Sequence, residues 1–245
     1  MRYLILSDIH ANYEALRAVL ISAKGDYEDI VCCGDLVGYG PDPDSVTDWV
    51  RQNVKRVVRG NHDRACSGVS EALEFNEAAR LAAYWTRSHM SDVNIDYLQK
   101  LPTGPLMIDD LFPIFHGSPR DEDEYVTVAT EASECFPLID KPVAFFGHTH
   151  LPGCFELDEQ RGQLNWISPD PGEWFPLQPH CRYLVTPGSV GQPRDRDPRL
   201  SFMTYDPERR RLRLHRLDYD IKGAARDITR AGLHPNLADR LSQGI

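Results

Sequence analysis

The strongest constraint on the fold is a series of short apolar runs, each of which stops at a cluster of polar residues. The clusters are Asp8-Ile9-His10, Gly34-Asp35, Gly60-Asn61-His62-Asp63, His116-Gly117 and Gly147-His148-Thr149-His150. Short continuous apolar runs are typical of strands that are covered on both faces. In open α/β sheets the carboxyl ends of such strands form the crevice that holds a ligand. If the strands belong to two facing sheets, we expect all of the clusters to meet at one edge.

In the first half of the chain, these apolar runs alternate with stretches that have helical spacing. Strands are predicted at residues 3–6, 30–33 and 54–58, and helices are predicted from Asn12, from Asp44 or Ser45, within 71–89 and within 91–101. An alternating order of this kind implies parallel strands joined by right-handed crossovers.

The second half of the chain is richer in strands. They are predicted at residues 106–108, 112–115, 143–146, 154–157, 163–167, 182–185, 200–205 and 211–217, with a helix at 129–139. We therefore expect an α/β (α+β) fold, a four-layer αββα sandwich of two mixed β-sheets flanked by helices. Residues 1–220 are predicted to form the domain, and residues 221–245 a helical tail packed on it. The Pro-rich segment 168–179, which contains Trp174 and Phe175, is expected to be an irregular loop that either covers the cleft or packs on the domain.

Composition narrows the possible partners. The formal net charge of −10 argues against a stable nucleic-acid complex, which depends on basic surface. No apolar run approaches the ~20 residues of a membrane span. The six cysteines contain no Cys-x-x-Cys pair, and the first residues lack a secretory apolar region. We expect reduced thiols and a cytoplasmic location.

Histidines are concentrated in the polar clusters. Neutral imidazole and carboxylate groups are ligands for Mn, Fe and Zn ions. In extended backbone, side chains at positions i and i+2 point to the same face. This spacing predicts that Asp8 and His10 aim at one site, as do His148 and His150. Each cluster alone is explained as a turn, a helix cap or a buried histidine, but their number and order together predict a metal site.

The series DIH, GD, GNHD, H and GHTH resembles the calcineurin-like metallophosphoesterase superfamily. The segments GDLVGYGPDP, FHGSPRD and PGSVGQPRDRDPR resemble its compact bacterial branch, which includes small phosphodiesterases. The resemblance implies two divalent transition-metal ions (Mn, Fe, Zn, Co or Ni, with Mn favoured). The implied ligands are Asp8, His10 and His150 for the first ion, Asn61, His116 and His148 for the second, and Asp35 as the bridging carboxylate.

The implied reaction is attack by a metal-bridging hydroxide on phosphorus. Two divalent ions held about 3.5–4 Å apart make such a hydroxide available near neutral pH. His62 is expected to protonate the departing alkoxide, while Asp63 orients the imidazole ring and favours its charged form. Asn61, His62 and Arg64 are candidates for substrate contacts, with a surface salt bridge as the alternative for Arg64.

The predicted function is a phosphodiesterase that acts on small or nucleotide-like phosphodiesters. The alternatives are a phosphomonoesterase or protein phosphatase, a dinucleoside polyphosphate hydrolase, and a non-catalytic scaffold of the same fold. Phosphoprotein phosphatases of the superfamily carry Asp-Arg-Gly where this chain has Asp35-Leu36-Val37, which favours a substrate other than a phosphoprotein. The expected partner is a small phosphorylated substrate, with no membrane and an oligomeric state that the sequence leaves open.

Some residues outside the clusters allow two interpretations. Tyr84 and Trp85 either stack on a base or pack in the core, and their helical spacing favours packing. Arg194, Arg196 and Arg199 form a small basic cluster, for which we expect a solvated surface.

Overall fold

The computed structural model describes residues 1–245. The strands are β1 (Tyr3–Leu6), β2 (Asp29–Cys32), β3 (Arg56–Val57), β4 (Leu106–Ile108), β5 (Phe112–Ile114), β6 (Val143–Phe145), β7 (Gly153–Asp158), β8 (Gln163–Ile167), β9 (Trp174–Pro176), β10 (Cys181–Thr186), β11 (Leu200–Asp206) and β12 (Arg211–Leu217). The helices are α1 (Tyr13–Ser22), α2 (Pro43–Asn53), α3 (Asn61–Cys66), α4 (Glu77–His89), α5 (Asp92–Gln99), α6 (Ala129–Cys135), α7 (Ile221–Arg230) and α8 (Pro235–Asp239).

The strands form two six-stranded sheets. The order in the first sheet is β3-β2-β1-β11-β12-β9, and the order in the second is β4-β5-β6-β10-β7-β8. In the first sheet β1 pairs parallel with β2 but antiparallel with β11. In the second sheet β10 pairs parallel with β6 but antiparallel with β7. Both sheets are therefore mixed, which confirms the predicted architecture.

The side chains of strand β1 alternate between two apolar cores. Tyr3 and Ile5 lie in the core between the sheets, whereas Leu4 and Leu6 lie in the core under the helices. Successive side chains of a strand point to opposite faces, so a strand that is apolar at every position is covered on both.

Aromatic rings fill the space between the sheets. The ring of Phe112 from the second sheet lies 5.0 Å from Tyr3 and 5.3 Å from Tyr205 of the first, in edge-to-face contacts. Contacts of this geometry contribute about 0.5–1.5 kcal/mol beyond area burial. Helices α1 and α2 cover the outer face of the first sheet, and α6 covers that of the second.

Helix α1 begins where the sequence predicts it. The side chain of Asn12 accepts a hydrogen bond from the backbone N–H of Ala15 at 3.1 Å, which satisfies a free donor of the first turn. Leu16 and Val19 are buried on one face of the helix.

Two predicted element boundaries are wrong. Helix α4 begins at Glu77, not near residue 71, because Asn76 caps it by accepting a hydrogen bond from Ala79. The segment 168–179 is not wholly irregular, since Trp174–Pro176 forms strand β9 and pairs with β12 at the sheet edge. The guanidinium of Arg211 lies 3.9 Å over the Trp174 ring, so this tryptophan packs on the sheet instead of covering a cleft.

The C-terminal residues pack on the domain that precedes them. Ile228 of α7 and Leu237 of α8 share an apolar cluster with Tyr39 and with Ala79 of α4. Residues 221–245 thus contact the loop after β2 as well as a helix of the first half. Every helix of the structure is too short or too polar to cross a lipid bilayer.

Candidate metal centre and cleft

The predicted ligands lie at the carboxyl ends of strands from both sheets. Asp8 and His10 follow β1, Asp35 follows β2, and Asn61 follows β3, all in the first sheet. In the second sheet His116 follows β5, while His148 and His150 follow β6. The structure brings all of these side chains to one edge of the sandwich, where they are buried.

The backbone of these loops differs from the extended conformation that the sequence suggested. Asp8 and His10 have φ values of 53° and 50°, and His148 and His150 have values of 67° and 59°. The left-handed region is unfavourable for residues with a Cβ, and such strain is characteristic of functional sites. The prediction that each pair lies in extended backbone was wrong, although both pairs still point into one site.

One group of ligand atoms surrounds Asp8 and His10. Nε2 of His10 lies 3.1 Å from Nε2 of His150 and 3.6 Å from Oδ2 of Asp35. Oδ1 of Asp8 lies 3.3 Å from Nε2 of His150. These four residues each offer one ligand atom within 4.8 Å of the others, a spacing that a single cation can span.

A second group adjoins the first through Asp35. Oδ2 of Asp35 lies 3.3 Å from Nε2 of His116, and that nitrogen lies 3.2 Å from the side-chain oxygen of Asn61. His148 completes this group with Asp35 and His116. A single carboxylate therefore belongs to two adjacent sets of ligand atoms.

Backbone carbonyl groups orient the imidazole rings. Nδ1 of His10 lies 3.1 Å from the carbonyl oxygen of Val37, and Nδ1 of His116 lies 2.8 Å from that of Cys33. A ring that donates from Nδ1 keeps the lone pair of Nε2 free, an arrangement that is common around metal ligands. Nε2 lone pairs that converge on one point in this way fit a divalent transition-metal ion.

The remaining rings are held in the same way. Nδ1 of His150 lies 2.5 Å from the carbonyl oxygen of Gln192. In His148 it is Nε2 that contacts a carbonyl, that of Asp123 at 3.1 Å, which leaves Nδ1 toward the site. Burial lowers the pKa of His150, and it lowers the pKa of His148 to about 3, so both rings favour the neutral form that binds cations.

The ionisation of Asp35, which belongs to both groups of ligand atoms, depends on its neighbours. Burial raises the pKa of Asp35, but the charges of His116 and His62 outweigh it and hold that pKa well below its usual range. Burial lowers the pKa of His116, yet the charge and hydrogen bond of Asp35 raise it to about 10. The pair therefore favours a positive charge between Asp35 and His116, a charge that a bound cation would supply.

Asp63 does not contact the ring of His62, which corrects the role expected from the sequence. Its carboxylate accepts hydrogen bonds from the backbone N–H groups of Leu36 at 2.8 Å, Val37 at 3.2 Å and Gly60 at 2.9 Å. The reason is that Asp63 occupies the third position of helix α3, where a side chain reaches back to the residue that caps the helix.

His62 is packed among aromatic rings. Its ring centroid lies 4.3 Å from that of Tyr39 and 4.5 Å from that of Phe75. Nδ1 of His62 is buried without a hydrogen-bond partner and faces Gly38, where an added Cβ would lie 2.4 Å away. Burial lowers the pKa of His62 to about 4. The environment therefore favours the neutral form of this ring, whereas Asp63 was expected from the sequence to favour the charged form.

A cleft of about 290 Å³ opens over these residues. Its lining comprises Asp35, Tyr39, Asn61, His62, Arg64, Glu71, Glu74, Phe75, Asn76, Ala79, Asp123, Tyr125, His148, His150 and Arg194. The sequence did not single out Tyr39, Phe75 or Tyr125. For Tyr39 a signal was present, because it lies only four residues after Asp35 in a glycine-rich segment.

The arginines of the cleft differ in their surroundings. Arg64 is paired with Glu122 at 2.5 Å and with Asp123 at 2.7 Å, so the salt bridge foreseen as its alternative is present. Arg194 lines the cleft, unlike the solvated position expected for it. Arg196 and Arg199 are exposed as expected.

The two aromatic residues of α4 lie outside the cleft lining. Trp85 stacks on His89 with ring centroids 4.1 Å apart. The hydroxyl of Tyr84 donates a hydrogen bond to Glu71 at 3.2 Å. All six cysteines are unpaired and buried.

Comparisons with known proteins show the family of this chain. Residues 1–210 match the model of the calcineurin-like phosphoesterase superfamily domain. A crystal structure of a metallophosphoesterase from Sphaerobacter thermophilus is 41% identical, with a TM-score of 0.90 over 100% of this chain and 99% of that one. An uncharacterised protein of Methanocaldococcus jannaschii is 32% identical over 98% of this chain and 97% of its own.

A more distant relative has a described activity. The symmetrical bis(5'-nucleosyl)-tetraphosphatase of Photorhabdus laumondii is 33% identical over 55% of this chain and 53% of its own. The family model covers most of the chain, including every residue of the two ligand groups. The chain therefore belongs to the calcineurin-like phosphoesterase superfamily.

Proposed function

We propose that this protein is a dinuclear metal-dependent phosphoesterase that hydrolyses small or nucleotide-like phosphodiesters. The observation that carries the proposal is the position of Asp35 Oδ2, 3.6 Å from Nε2 of His10 and 3.3 Å from Nε2 of His116. A carboxylate oxygen shared by two groups of buried ligands fits a pair of adjacent cations.

The residues present fit two divalent ions, with manganese favoured among Mn, Fe, Zn, Co and Ni. Asp8, His10, Asp35 and His150 would hold one ion, and Asp35, Asn61, His116 and His148 the other. Such a pair supplies a nucleophilic hydroxide and offsets the charge that develops on phosphorus.

His62 is assigned the leaving-group side of the reaction. Its Nδ1 is packed against Gly38, so Nε2 is the nitrogen available to a substrate in the cleft. We assign this atom the task of donating a proton to the departing oxygen, a proton that the negative charge of a bound phosphate would help the buried ring to hold. Asn61 is assigned the task of contacting the phosphate. Asp63 is a positioning residue, because it fixes the turn from Gly60 to His62 through the backbone.

The aromatic residues that line the cleft support the proposal of a nucleotide-like substrate. The rings of Tyr39, Phe75 and Tyr125 lie on its walls, and Tyr125 is 48% exposed. Aromatic faces of this kind stack on bases, whereas the cations and Asn61 would take the phosphate. The guanidinium of Arg64 is already paired with two carboxylates. Of the three candidates for substrate contacts, Arg64 is therefore less well supported than Asn61 and His62.

The second candidate is a dinucleoside polyphosphate hydrolase. It is favoured by the identity with the bis(5'-nucleosyl)-tetraphosphatase of Photorhabdus laumondii over 148 residues. A phosphomonoesterase uses the same metal chemistry. A protein phosphatase is the weaker choice, because Leu36 occupies the position of the arginine in the Asp-Arg-Gly sequence.

The test is hydrolysis of bis(p-nitrophenyl) phosphate, p-nitrophenyl phosphate and diadenosine tetraphosphate by the purified protein. We expect turnover with Mn²⁺, loss of turnover after chelation, and recovery when Mn²⁺ is returned. The relative kcat/KM values rank the diester, monoester and polyphosphate activities. Metal-loaded protein that hydrolyses none of these substrates would support the non-catalytic scaffold instead.

A variant at the shared carboxylate sharpens this test. Asp35→Asn should lower both the metal content, measured by elemental analysis, and the turnover. The matched control is Asp92→Asn, which changes an exposed carboxylate in the first turn of α5 and should leave both unchanged.

A further inference from the structure

We propose that Arg194 binds a second anionic group of the substrate, a phosphate that is not the one hydrolysed. This inference deepens the proposed function, on which it rests, and assigns the substrate class as phosphoesters with an additional phosphate. The two ligand groups around Asp35 account for the scissile phosphate but leave Arg194, which also lines the cleft, without a role.

Arg194 faces the cleft without a negatively charged partner. Its guanidinium donates a hydrogen bond to Gln192 Oε1 at 3.1 Å and lies 3.4 Å from the hydroxyl of Tyr39. Both partners are uncharged, and the Nε atom of Arg194 is buried with no partner at all. The half-buried guanidinium of Arg194 therefore has more N–H donors than acceptors around it. A guanidinium with free donors can bind a phosphate through two parallel hydrogen bonds.

Several other arginines, in contrast, are paired with carboxylates. Arg64 on the same cleft is paired with two carboxylates, and Arg216 is paired with Asp195. Arg199 is paired with Asp197 at 2.7 Å. With 37 acidic side chains and 27 basic ones, a cleft arginine that remains unpaired is available to an anion from outside the protein.

The segment that carries Arg194 is fixed to the metal centre. The hydroxyl of Ser189 donates to the carbonyl of Asp8 at 2.8 Å, and the backbone N–H of Gly191 donates to the same carbonyl at 2.9 Å. A Cβ at Gly191 would lie 1.9 Å from the carbonyl oxygen of Ile9, so only glycine allows this approach. Arg194 is therefore held at a constant position relative to the ligands, as a specificity residue requires.

Charge is distributed unequally across the cleft. Arg194 and Arg240 both lie near the ring of Tyr39, with guanidinium carbons 5.8 Å and 6.0 Å from its centroid. Glu71 and Glu74 line the cleft elsewhere and are exposed. An additional phosphate would be repelled by the two glutamates and attracted to the side of Tyr39.

The experiment compares two probes that differ by one phosphonate. Propylphosphonate and 1,3-propanediphosphonate are titrated by calorimetry into the Mn²⁺-loaded protein, its Arg194→Gln variant and its Arg196→Gln variant. Arg196 is exposed in the same segment and serves as the matched control. We expect Arg194→Gln to weaken binding of the diphosphonate roughly tenfold to a hundredfold, and that of propylphosphonate by less than twofold. Arg196→Gln should change neither affinity.

Two results would overturn the inference. An equal loss of affinity for both probes would place Arg194 on the scissile group, and no loss for either would remove it from substrate binding. Thermal unfolding of each variant establishes that it is folded, and Arg194→Lys, which keeps the charge without the planar fork, should recover part of the diphosphonate affinity. Failure of the proposed function appears separately, as an absence of phosphoester turnover in the unaltered protein.

Discussion

The carboxylate of Asp63 accepts a hydrogen bond from the backbone N–H of Gly60 at 2.9 Å. This bond ties the end of the loop after β3 to the first turn of α3. The other oxygen of Asp63 binds the loop after β2. A single buried side chain thereby sets the distance between the loop that carries Asp35 and the helix that begins at Asn61.

Asp63→Asn should lower the free energy of unfolding. The amide has one acceptor oxygen instead of two, so one of these backbone donors loses its partner, at a cost of about 1–3 kcal/mol. Because Asp63 does not touch the ring of His62, the pH profile of kcat should keep its shape. Urea unfolding and a pH series of kcat check the two statements. A displaced alkaline limb, on which His62 would lose the proton it donates, would restore the ring-orienting role.

Replacing His62 should reduce turnover without removing the metal ions. Positioned acid catalysis typically contributes about 10²–10⁴-fold, and His62→Gln removes it. The loss should be larger for alkyl diesters than for p-nitrophenyl diesters, because p-nitrophenolate departs with little assistance. His89→Gln is the control, since His89 stacks on Trp85 outside the cleft. Equal losses for both kinds of diester would argue against proton donation by His62.

Removal of the metal ions should lower the thermal stability. Ions that bind only the folded chain stabilise it by about 2.7 kcal/mol at a concentration 100 times the dissociation constant. We therefore expect the Tm to fall after chelation and to rise again with Mn²⁺. In Asp35→Asn the difference between the two conditions should shrink, and a Tm insensitive to chelation in the unaltered protein would contradict metal binding.

The C-terminal helices should unfold together with the rest of the chain. Leu237 is buried in the cluster that includes Tyr39, and Leu237→Ala should cost about 2–5 kcal/mol. Leu73→Ala is the control, because Leu73 is 71% exposed. A single cooperative transition at a lower urea concentration is expected for Leu237→Ala. A separate early transition would show that residues 221–245 are an independent unit.

Stability should depend on pH through His215. Burial, followed by the charge of Arg213, lowers the pKa of His215 to about 4. The unfolded chain therefore takes up this proton first as the pH falls below about 6.5, and the contribution of His215 is lost between about pH 6.5 and pH 4. His215→Gln, which keeps a donor for Thr204, should reduce this loss by about 1–3 kcal/mol in urea unfolding. An unchanged pH slope would contradict a buried neutral ring.

Most strands, and the residues that the structure gathers into the two candidate ligand groups, were predictable from local patterns. Tyr3–Leu6 is apolar throughout, which is the pattern of a strand covered on both faces, and Asp8 and His10 follow directly. The ends of the helices were harder to predict from the sequence. Helix α3 (Asn61–Cys66), for example, has no apolar periodicity, and its start is set by the cap at Gly60 and by Asp63.

The orientation of side chains could not be predicted, because it depends on contacts between distant segments. The left-handed φ of His148 and the approach of Gly191 to Ile9 are imposed by tertiary packing. For the same reason Arg194 was expected on a solvated surface. Its place in the cleft follows from the hydrogen bond that Ser189 donates to the carbonyl of Asp8, a residue 181 positions away.

Each of the two ligand groups draws on both layers of the sandwich. Asp8 and His10 extend from one sheet, whereas His150 reaches the same point from the other, and Asn61 meets His116 across the same boundary. Cations bound at this edge would cross-link the two sheets beside the aromatic core. Any shear of one layer against the other would then open both coordination shells at once, so the proposed turnover would depend on how rigidly the two sheets are held together.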